Sequence, residues 1–517
     1  MKRGYSAAAI RAAEAPLLDA GRGLALMRTA AAGLAAECRG ILREARGGVS
    51  GARVVVLAGA GNNGGDALFA GADFRRRGAH VTVVDVLGRL HAEGRAALES
   101  AGGAIEELDA GSAQLAARAD LVVDGILGTG ASGALREPIS SLIADWQSAV
   151  RAAGSTRAHG GPVQRVVAVD VPTGVDATTG ACGPVHVRAD RTVTFGGHKA
   201  GLLLPGGADA AGEVVLVDIG LDLSGFVPAV EAPEPADLPD AWPHPERDMH
   251  KYTRGVLGLV AGSRRYPGAG LLTTAAAVST GLGMVRLLAP DAVTGPVLER
   301  FPEVVTDPGR VQAWALGSGA PDTLLMRRAL IEAENRSLPV VIDAAGLGLL
   351  NRPLETTCVV TPHAGELVDL LGRFTTGVPT RAEVEADPVT HAVRAAGALE
   401  GVVVLKGSRT IIARPDGTVV APPPGPASLA TAGSGDVLTG VLGALLATST
   451  GGPDERRPGA DIALLAGLAV TVHGLAGRRS THAGGLPSAV EDIVLGLPQR
   501  SAGSPVTAVD PASGGRR

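Results

Sequence analysis

Short runs of β-branched residues alternate with helix-like stretches along two separate parts of this chain. The first series of runs covers residues 53–58, 80–86, 120–127, 166–171, 191–195 and 213–219. The second covers residues 256–261, 284–289, 339–343, 358–361 and 402–406, followed by a predicted hairpin at 409–413 and 418–421. Val-rich strands that alternate with helices are typical of parallel sheets covered on both faces. The pattern predicts an α/β fold with two three-layer α/β/α domains.

A proline-rich stretch separates the two series. The chain has 517 residues, more than one hydrophobic core usually serves, and residues 223–248 contain six prolines (Pro228, Pro233, Pro235, Pro239, Pro243, Pro245). We therefore predict a first domain at 1–222, a linker at 223–248 and a second domain at 249–500. Residues 501–517 are rich in Ser, Pro and Gly, and we predict a disordered tail.

The composition excludes several classes of partner. The net charge is −5 and aromatic residues make up 2% of the chain, which argues against a nucleic-acid surface. Charged residues interrupt the apolar stretch that follows the N-terminus, and no later stretch is long and apolar enough to predict a membrane span. The three cysteines are far apart in the sequence and form no CxxC pair, which indicates a reducing compartment. We predict a cytoplasmic protein with no nucleic-acid or membrane partner.

A glycine-rich turn follows the first predicted strand of the first domain. It consists of Asn62, Asn63, Gly64, Gly65 and Asp66, preceded by Gly59 and Gly61, and a helix begins there. Glycines allow close approach of a ligand, and a helix N-terminus attracts an anion. The spacing contains GxGxxG, and Asp85 ends the next strand, so an NAD-dependent oxidoreductase is one interpretation. The two asparagines and Asp66 favour a more particular ligand.

Two further strand ends carry acidic residues at the same predicted edge of the sheet. One is Asp124, followed by a glycine-rich turn, and the other is Asp170, followed by Thr173. Ligands of open α/β sheets bind beyond the carboxyl ends of the strands. Oxygen atoms converging there could bind a hard cation, or one carboxylate could move protons. A single aspartate at a strand end is equally a helix cap, but three such segments in one sheet favour a site.

The motifs NNGGD, VDGILGTG, AVDVPTGVD and TVTFGGHKAGL resemble the NAD(P)H-hydrate epimerase family over residues 1–220 and imply a Rossmann-like fold. The resemblance implies that Asp170 binds the substrate and is the acid/base at the epimerised carbon. It implies potassium binding by Asn63, Asp124 and Thr173, the last replacing a Ser of the family. The implied contacts to the hydrated nicotinamide nucleotide are Asn62, Asn63, Gly64, Gly65, Asp66, Gly128, Thr129, Gly130, Ala131, Ser132, Gly133 and Ala134. Two interpretations of Lys199 stay open: it contacts the substrate, or it is a lysine at the surface or at a sheet edge.

The second domain carries its own glycine-rich helix start, from Ala432 to Gly440, with Asp436 at its mouth. Small residues there expose backbone N–H groups that can bind phosphate, and a carboxylate can take a proton from an attacking hydroxyl. No GxxxxGK[ST] sequence occurs, which excludes P-loop chemistry. Four other segments lie at predicted strand ends, namely 406–410, 361–366 and the glycine turns near Gly268 and Gly317.

The motifs HKYTRG, AGSRRYPGA, TPHAGEL, KGSRT and GSGDVLTG resemble the NAD(P)H-hydrate dehydratases of the ribokinase-like superfamily over about residues 250–499. The resemblance implies that Ala269, Gly319, His363 and Asp436 contact the hydrated nucleotide. It implies that the adenine nucleotide is held by Lys406, Gly407, Ser408, Arg409, Thr410 and Gly435. Asp436 would activate the substrate hydroxyl for phosphorylation. Ala345 stands where the family often has a second aspartate.

Together the two resemblances imply repair of hydrated NADH and NADPH. Epimerisation interconverts the R and S hydrates, and phosphorylation followed by loss of phosphate restores the dihydropyridine. The implied cofactors are K⁺ at the epimerase site and Mg²⁺ with ADP at the dehydratase site, with ATP as the alternative donor. We expect a homo-oligomer.

Three alternatives remain open at this point. The second domain could be a vitamin or sugar kinase fused to a nucleotide-binding regulatory domain, and a stable phosphorylated product would distinguish it. The first domain could be a non-catalytic nucleotide sensor. The oxidoreductase interpretation lacks a second catalytic domain that would bind a hydride acceptor.

Overall fold

The structure, a computed structural model, describes residues 1–130, 133–156, 164–245, 247–321, 324–449 and 461–498. The chain divides into two compact units, and the division falls after Val230. Residues 3–230 form the first unit, and residues 1–2 with 231–498 form the second. The boundaries at 222 and 248 stay predictions. Leu238 and Trp242, from the proline-rich stretch, are buried in the core of the second unit. The tail at 501–517 lies outside the described residues.

The strands up to residue 220 are β1 (Lys2–Tyr5), β2 (Arg53–Ala58), β3 (His80–Asp85), β4 (Ala104–Glu107), β5 (Leu121–Gly125), β6 (Arg165–Val169), β7 (Arg191–Phe195), β8 (His198–Lys199) and β9 (Glu213–Val217). The helices there are α1 (Ala7–Asp19), α2 (Gly23–Arg46), α3 (Asn62–Arg76), α4 (Ala92–Ser100), α5 (Ser112–Ala117), α6 (Ile139–Thr156) and α7 (Gly207–Ala211).

The main sheet of the first unit has the order β4-β3-β2-β5-β6-β7-β9, and every neighbouring pair is parallel. One core cluster joins α2, α3 and α4 to one face of this sheet, and a second joins α5 and α6 to the other. Strand order reverses between β2 and β5, which is where open α/β sheets bind ligands. The turns after β2 and β5 thus meet at this crevice.

The strands from Val230 onward are β10 (Val230–Ala232), β11 (Val256–Val260), β12 (Met284–Leu287), β13 (Ala313–Leu316), β14 (Val340–Ile342), β15 (Cys358–Val360), β16 (Val402–Leu405), β17 (Ile411–Ala413) and β18 (Val419–Val420). The helices are α8 (Leu238–Ala241), α9 (Pro267–Ser279), α10 (Asp291–Arg300), α11 (Leu324–Asn335), α12 (Ala364–Phe374), α13 (Arg381–Ala386), α14 (Pro388–Leu399), α15 (Ser434–Ser449), α16 (Ile462–Arg479) and α17 (Leu486–Leu495).

In the second unit the strand order is β12-β11-β13-β14-β15-β16-β17-β18. Strands β11 to β16 pair in parallel, and β17 and β18 form the predicted antiparallel hairpin. Helices α9, α10, α15, α16 and α17 contribute to one large core cluster, whereas α11 lies against β13 and α14 against β16 and β17. The two three-layer α/β/α folds predicted from the sequence are confirmed.

Candidate functional site

The turn after β2 carries Asn63 into the crevice of the first unit. Asn63 Nδ2 donates hydrogen bonds to the carbonyl oxygens of Leu127, at 3.2 Å, and Val169, at 2.7 Å. Both amide hydrogens are used, so Asn63 can accept from or coordinate a ligand only through Oδ1. Gly128 lies against this amide, and a Cβ at Gly128 would overlap it. One side chain therefore ties together the ends of β2, β5 and β6.

Asp124, the penultimate residue of β5, is fully buried. Its Oδ1 accepts from Thr173 Oγ1 at 2.7 Å, and its Oδ2 accepts from Thr173 N at 2.8 Å. Burial raises the pKa of Asp124 to about 6, against the lowering effect of the Thr173 hydrogen bonds. Thr173 is a neutral partner, so a cation held by oxygen atoms would compensate the buried negative charge.

The predicted potassium ligands are close neighbours. Leu127 N donates to Thr173 Oγ1 at 3.2 Å, and Leu127 O accepts from Asn63. Asn63, Asp124 and Thr173 thus surround one backbone turn, and each brings a side-chain oxygen to it. This donor set suits a hard cation.

Asp170 follows β6 in a left-handed backbone conformation, with φ at +65°. Its Oδ1 accepts hydrogen bonds from Thr194 Oγ1 at 3.1 Å and Phe195 N at 3.2 Å, and forms a short ion pair with Lys199 Nζ. Lys199 Nζ also donates to Phe195 O at 2.8 Å. A non-glycine residue with this φ is strained, and such strain concentrates at functional sites.

Lys199 is 1% exposed, so it is neither a surface lysine nor a solvated sheet-edge lysine. It lies on β8, which pairs in parallel with β1 through Tyr5. The GGHKAGL segment is the sequence signal that pointed to it, but its pairing with Asp170 depends on the close approach of β7 and β8 and could not be predicted from the sequence.

Two more carboxyl groups face the Asp170–Lys199 pair. Burial raises the pKa of Asp66 well above its usual value, and the charges of Asp170 and Glu14 add to the effect. Burial likewise raises the pKa of Glu14, a residue of α1 that the sequence did not single out. Asp66 Oδ1 has no hydrogen-bond partner among the described residues. Two carboxyl groups of raised pKa thus lie beside Asp170, and neighbouring titratable groups of this kind are typical of acid–base sites.

The other predicted substrate contacts of the first unit line the same two turns. Buried residues there are Gly64 and Gly65, and residues at the exposed rim are Asn62, Gly130, Gly133 and Ala134. Thr129 O accepts from Arg11 at 3.1 Å. Ala131 and Ser132 lie outside the described residues.

Asp85 has a local role at the end of β3. Its Oδ1 accepts hydrogen bonds from Leu87 N at 3.3 Å and Arg89 N at 3.1 Å. This is a turn-forming aspartate whose carboxylate bonds its own backbone. This local role explains Asp85 without a contact to ribose, which the oxidoreductase interpretation requires.

The N-terminus of α15 forms the centre of the second unit's candidate site. Asp436, in the first turn, is partly buried, and burial raises its pKa to about 6. The negative charge of Asp343 raises the pKa further, whereas a hydrogen bond with Ser318 and the charge of Lys406 lower it. Asp436 is therefore a base whose pKa lies close to neutral pH, the range that suits proton abstraction from a hydroxyl.

Asp343 is a central residue that the sequence marked only as the end of the predicted strand 339–343. It follows β14 and is 2% exposed. Its Oδ1 accepts from Thr361 Oγ1 at 2.7 Å and from Lys406 Nζ at 2.7 Å, and its Oδ2 accepts from Ser318 Oγ at 3.3 Å. The ends of β13, β14, β15 and β16 are joined through this one carboxylate.

The predicted nucleotide-binding residues lie in the turn after β16. Lys406 N donates to Pro362 O at 2.8 Å, which extends the parallel ladder to the beginning of the turn. Lys406, Arg409 and Thr410 are half-buried, and Gly407 and Ser408 are exposed. A Cβ at Gly435 would lie 3.6 Å from Lys406 Nζ, so the lysine reaches the N-terminus of α15.

The three remaining predicted substrate contacts fall into two places. Ala269 and Gly319 are adjacent, since a Cβ at Gly319 would overlap Ala269 Cβ. His363 is the N-cap of α12. Its ring atom Nδ1 accepts from Glu366 N at 3.2 Å, and its backbone N–H donates to Glu366 Oε2 at 2.8 Å. His363 is exposed, so its ring is accessible to a ligand.

His473, on α16, is a buried group that the sequence analysis did not assign to the site. Burial lowers its pKa to about 4, although a hydrogen bond with the backbone of Ser434 opposes the effect. The neutral ring lies beside the first residue of α15. His473 Nε2 has no hydrogen-bond partner within the described part of the chain.

Two family models match the chain. The model described as NAD(P)H-hydrate dehydratase matches residues 257–495, and the model described as YjeF-related protein N-terminus matches residues 23–201. The bifunctional NAD(P)H-hydrate repair enzyme Nnr of Mycobacterium tuberculosis is 43% identical over 465 residues, which cover 87% of this chain and 90% of that protein. The chain belongs to the bifunctional NAD(P)H-hydrate repair enzyme family. Both family resemblances predicted from the motifs are confirmed.

Further similar proteins match either most of this chain or about half of it. The corresponding enzyme of Thermofilum pendens is 34% identical over 82% of each chain. An NAD(P)H-hydrate epimerase of Clavibacter michiganensis is 48% identical over 44% of this chain and 95% of its own. A solved ADP/ATP-dependent NAD(P)H-hydrate dehydratase of Bacillus subtilis, co-crystallised with ATP and Mg²⁺, is 28% identical over 50% of this chain and 96% of its own, with a TM-score of 0.43.

Within the described residues, none of the helices combines the length and the apolar character that crossing a membrane demands.

Proposed function

We propose that this chain repairs hydrated NADH and NADPH in two steps, one in each unit. The first unit interconverts the R and S hydrates. The second unit transfers a phosphoryl group from a nucleotide to the hydroxyl of the S hydrate. Phosphate then leaves, the neighbouring carbon loses a proton and the dihydropyridine ring is restored. The vitamin or sugar kinase alternative is not favoured, because family membership extends over both units.

The observation that carries the epimerase proposal is the Asp170–Lys199 pair, with a strained Asp170 beside two carboxyl groups of raised pKa. We assign Asp170 as the acid/base at the epimerised carbon. Lys199 holds its carboxylate in one orientation through their ion pair. The glycine-rich turns around Asn63 and Gly128 bind the nucleotide part of the substrate.

We assign K⁺ to the oxygen atoms of Asn63, Asp124 and Thr173. The support is the buried carboxylate of Asp124, whose hydrogen-bond partner Thr173 is neutral. The cation would contribute positive charge beside the substrate anion. The chain's own residues fix the position of that charge relative to Asp170, because Asn63 bonds the carbonyl immediately before it.

In the second unit we assign Asp436 as the base that takes the proton of the substrate hydroxyl. Ala269, Gly319 and His363 contact the hydrated nucleotide. The phosphoryl donor lies against the turn from Lys406 to Thr410 and Gly435, with Mg²⁺ bound to its phosphates. We favour ADP over ATP as the donor, and the Bacillus subtilis enzyme is described as using either. The homo-oligomer and the cytoplasmic location stay predictions.

One assay of the purified chain tests the proposal. Both epimers of hydrated NADH are supplied with Mg²⁺, K⁺ and either ADP or ATP, and the return of NADH absorbance is followed. Complete conversion supports both activities. The nucleotide that gives the faster return of NADH absorbance is the preferred donor. Conversion that stops when one epimer is consumed would leave only the dehydratase. Accumulation of a stable phosphorylated product would favour the kinase instead.

A further inference from the structure

The ion pair between Asp343 and Lys406 joins the middle of the second unit's sheet to the edge of its candidate site. Asp343 is 2% exposed, and the Lys406 side chain is 23% exposed. Thr361 Oγ1 and Lys406 Nζ both lie 2.7 Å from Asp343 Oδ1. The carboxylate is therefore held on the inner side by neutral hydroxyl groups and meets a single cation on the outer side.

The backbone at the strand ends places the partners of Asp343 beside it. Gly317, at φ +112°, allows the turn after β13 to touch the backbone after β14, since a Cβ there would overlap Asp343 O. This close approach delivers Ser318 Oγ to Asp343 Oδ2 at 3.3 Å. Lys406 N bonds Pro362 O, so the lysine begins its turn beside Thr361.

Lys406 faces a second feature across the site. Its Nζ lies 3.6 Å from where a Cβ of Gly435 would be, in the first turn of the 16-residue helix α15. The free N–H groups of such a helix start favour a phosphate. The ammonium group thus stands between a buried carboxylate behind it and the phosphate position in front of it.

We propose that Asp343 is a positioning residue that holds Lys406 Nζ against the N-terminus of α15, where the lysine binds the phosphate of the donor nucleotide. The inference rests on the proposed dehydratase function and adds a residue to it. Lysine has a flexible four-carbon chain, and fixing it on binding costs conformational entropy. Asp343 fixes it beforehand. Ser318 Oγ donates to Asp343 Oδ2 and also lies close enough to Asp436 to lower its pKa, so the base belongs to the same network.

The experiment uses the full-length chain with the substitution Asp343→Asn, which keeps the size of the side chain and removes its charge. We expect KM for ADP to rise and dehydratase kcat/KM for ADP to fall on the order of 10²-fold, because small misplacements of a transfer site have effects of that size. KM for the hydrate and the epimerase rate should not change. The matched control is Glu332→Gln, which removes the carboxylate of a surface ion pair with Arg336 in the same unit and should leave every constant unchanged.

A double-mutant cycle separates positioning from a general structural role. If Asp343 acts through Lys406, Asp343→Asn lowers kcat/KM in the wild-type background but has no further effect in a Lys406→Met background. If the two losses multiply instead, Asp343 does not act through Lys406 and the inference is overturned. The inference is also overturned if the Asp343→Asn chain uses ADP with the kinetic constants of the wild type.

A second variant protects the test against misfolding. Thr361→Val removes one hydroxyl from Asp343 and keeps the charge, and a smaller loss that also vanishes in the Lys406→Met background supports the inference. An additive loss contradicts it. Urea unfolding followed by fluorescence in a Trp146→Phe background, where Trp242 and Trp314 are the remaining tryptophans, reports the second unit's stability. A wild-type chain that fails to restore NADH with either nucleotide would instead refute the proposed function, so the two failures are distinguishable.

Discussion

Lys199 is a charged side chain in an almost fully buried position, and its ammonium group meets the carboxylate of Asp170. Breaking such a pair leaves an uncompensated charge, which usually costs about 3–5 kcal/mol. For Lys199→Met we expect a decrease of that order in the free energy of unfolding of the first unit. We also expect the epimerase rate to fall about 10²- to 10⁴-fold, the usual contribution of positioned acid–base groups.

The measurement is the interconversion of purified R and S hydrates, together with urea unfolding of the same variant. The dehydratase rate on the S hydrate, which belongs to the other unit, serves as the internal control. A folded Lys199→Met chain with the wild-type epimerase rate would show that Lys199 only fills space in the core.

Asp436 gives the second prediction at this scale. Burial raises its pKa to about 6, and the charged or titratable groups that act on it are Asp343, which raises the pKa, and Lys406, which lowers it. His473, beside the same helix start, stays neutral above about pH 4. The base must be ionised to take a proton, so dehydratase kcat/KM should fall about tenfold per pH unit as the pH drops below about 6. With an ordinary aspartate the decrease would begin near the usual value of 3.8.

The measurement is kcat/KM at fixed ionic strength across this range. Removal of the Asp343 charge in Asp343→Asn should move the acid limb to lower pH, because a repulsive negative charge disappears. A limb that stays in place in this variant, or a wild-type rate that is flat down to about pH 4, would show that Asp436 is not the base.

The residues that the sequence revealed and those that it did not differ in a physical way. Asn63, Asp124 and Asp170 follow strands of one parallel sheet, so strand-end positions alone predict their convergence, and the structure brings them together. Lys199 and Glu14 reach Asp170 through the path of β8 and α1 across the molecule. No local pattern encodes that path.

At the scale of elements, the turn after β5 can be tested by adding one methyl group. A Cβ at Gly128 would overlap the Asn63 amide, which holds the ends of β5 and β6. We expect Gly128→Ala to displace Asn63 and to lower the epimerase rate by one to two orders of magnitude, on the scale of small misplacements at a reacting site. Gly48→Ala is the control, because Gly48 lies outside the site and nothing lies within 4 Å of a Cβ there.

The rate of epimerisation and the thermal unfolding midpoint of the first unit would be compared for the two alanine variants. Equal epimerase rates for Gly128→Ala and Gly48→Ala would show that the position of Asn63 does not depend on this contact.

The strand ends also define the cation prediction. If Asn63, Asp124 and Thr173 bind K⁺ in the folded state alone, the ion stabilises the first unit by RT ln(1 + [K⁺]/Kd). We expect its unfolding midpoint to rise with K⁺ at constant ionic strength, with choline as the replacement cation. Asn63→Ala should abolish the dependence. A wild-type midpoint that ignores K⁺ contradicts the assignment.

Most strands were predictable because β-branched runs mark them, and those missed lack such runs. Strand β13 reads Ala-Trp-Ala-Leu, with no β-branched residue, yet it is fully buried between β11 and β14. Strand β4 is a largely exposed edge strand with two glutamates. In both, tertiary pairing outweighs local propensity. The helix start predicted between Ala432 and Gly440 was correct, and α15 begins there at Ser434.

At the scale of the whole molecule, the residues that we assign to each step lie within one unit. Asp170 and Lys199 pair within the first unit, and Asp343, Lys406 and Asp436 form one network within the second. The two steps are linked chemically, because the dehydratase consumes one epimer and the epimerase regenerates it. Because both units belong to one chain, the two sites are present in equal numbers.

The last prediction follows from this division. The Asp170→Asn chain should restore NADH only from the S hydrate and stop, apart from slow spontaneous epimerisation. The Asp436→Asn chain should epimerise both hydrates and restore none. Because each unit binds its substrate with its own residues, a mixture of the two variant chains should convert both epimers completely, at a rate that rises with the concentration of the Asp170→Asn chain when dehydration limits. If the Asp436→Asn chain does not epimerise the hydrates, and the mixture therefore stops once the S hydrate is consumed, epimerisation depends on an active second unit and the two steps are not independent.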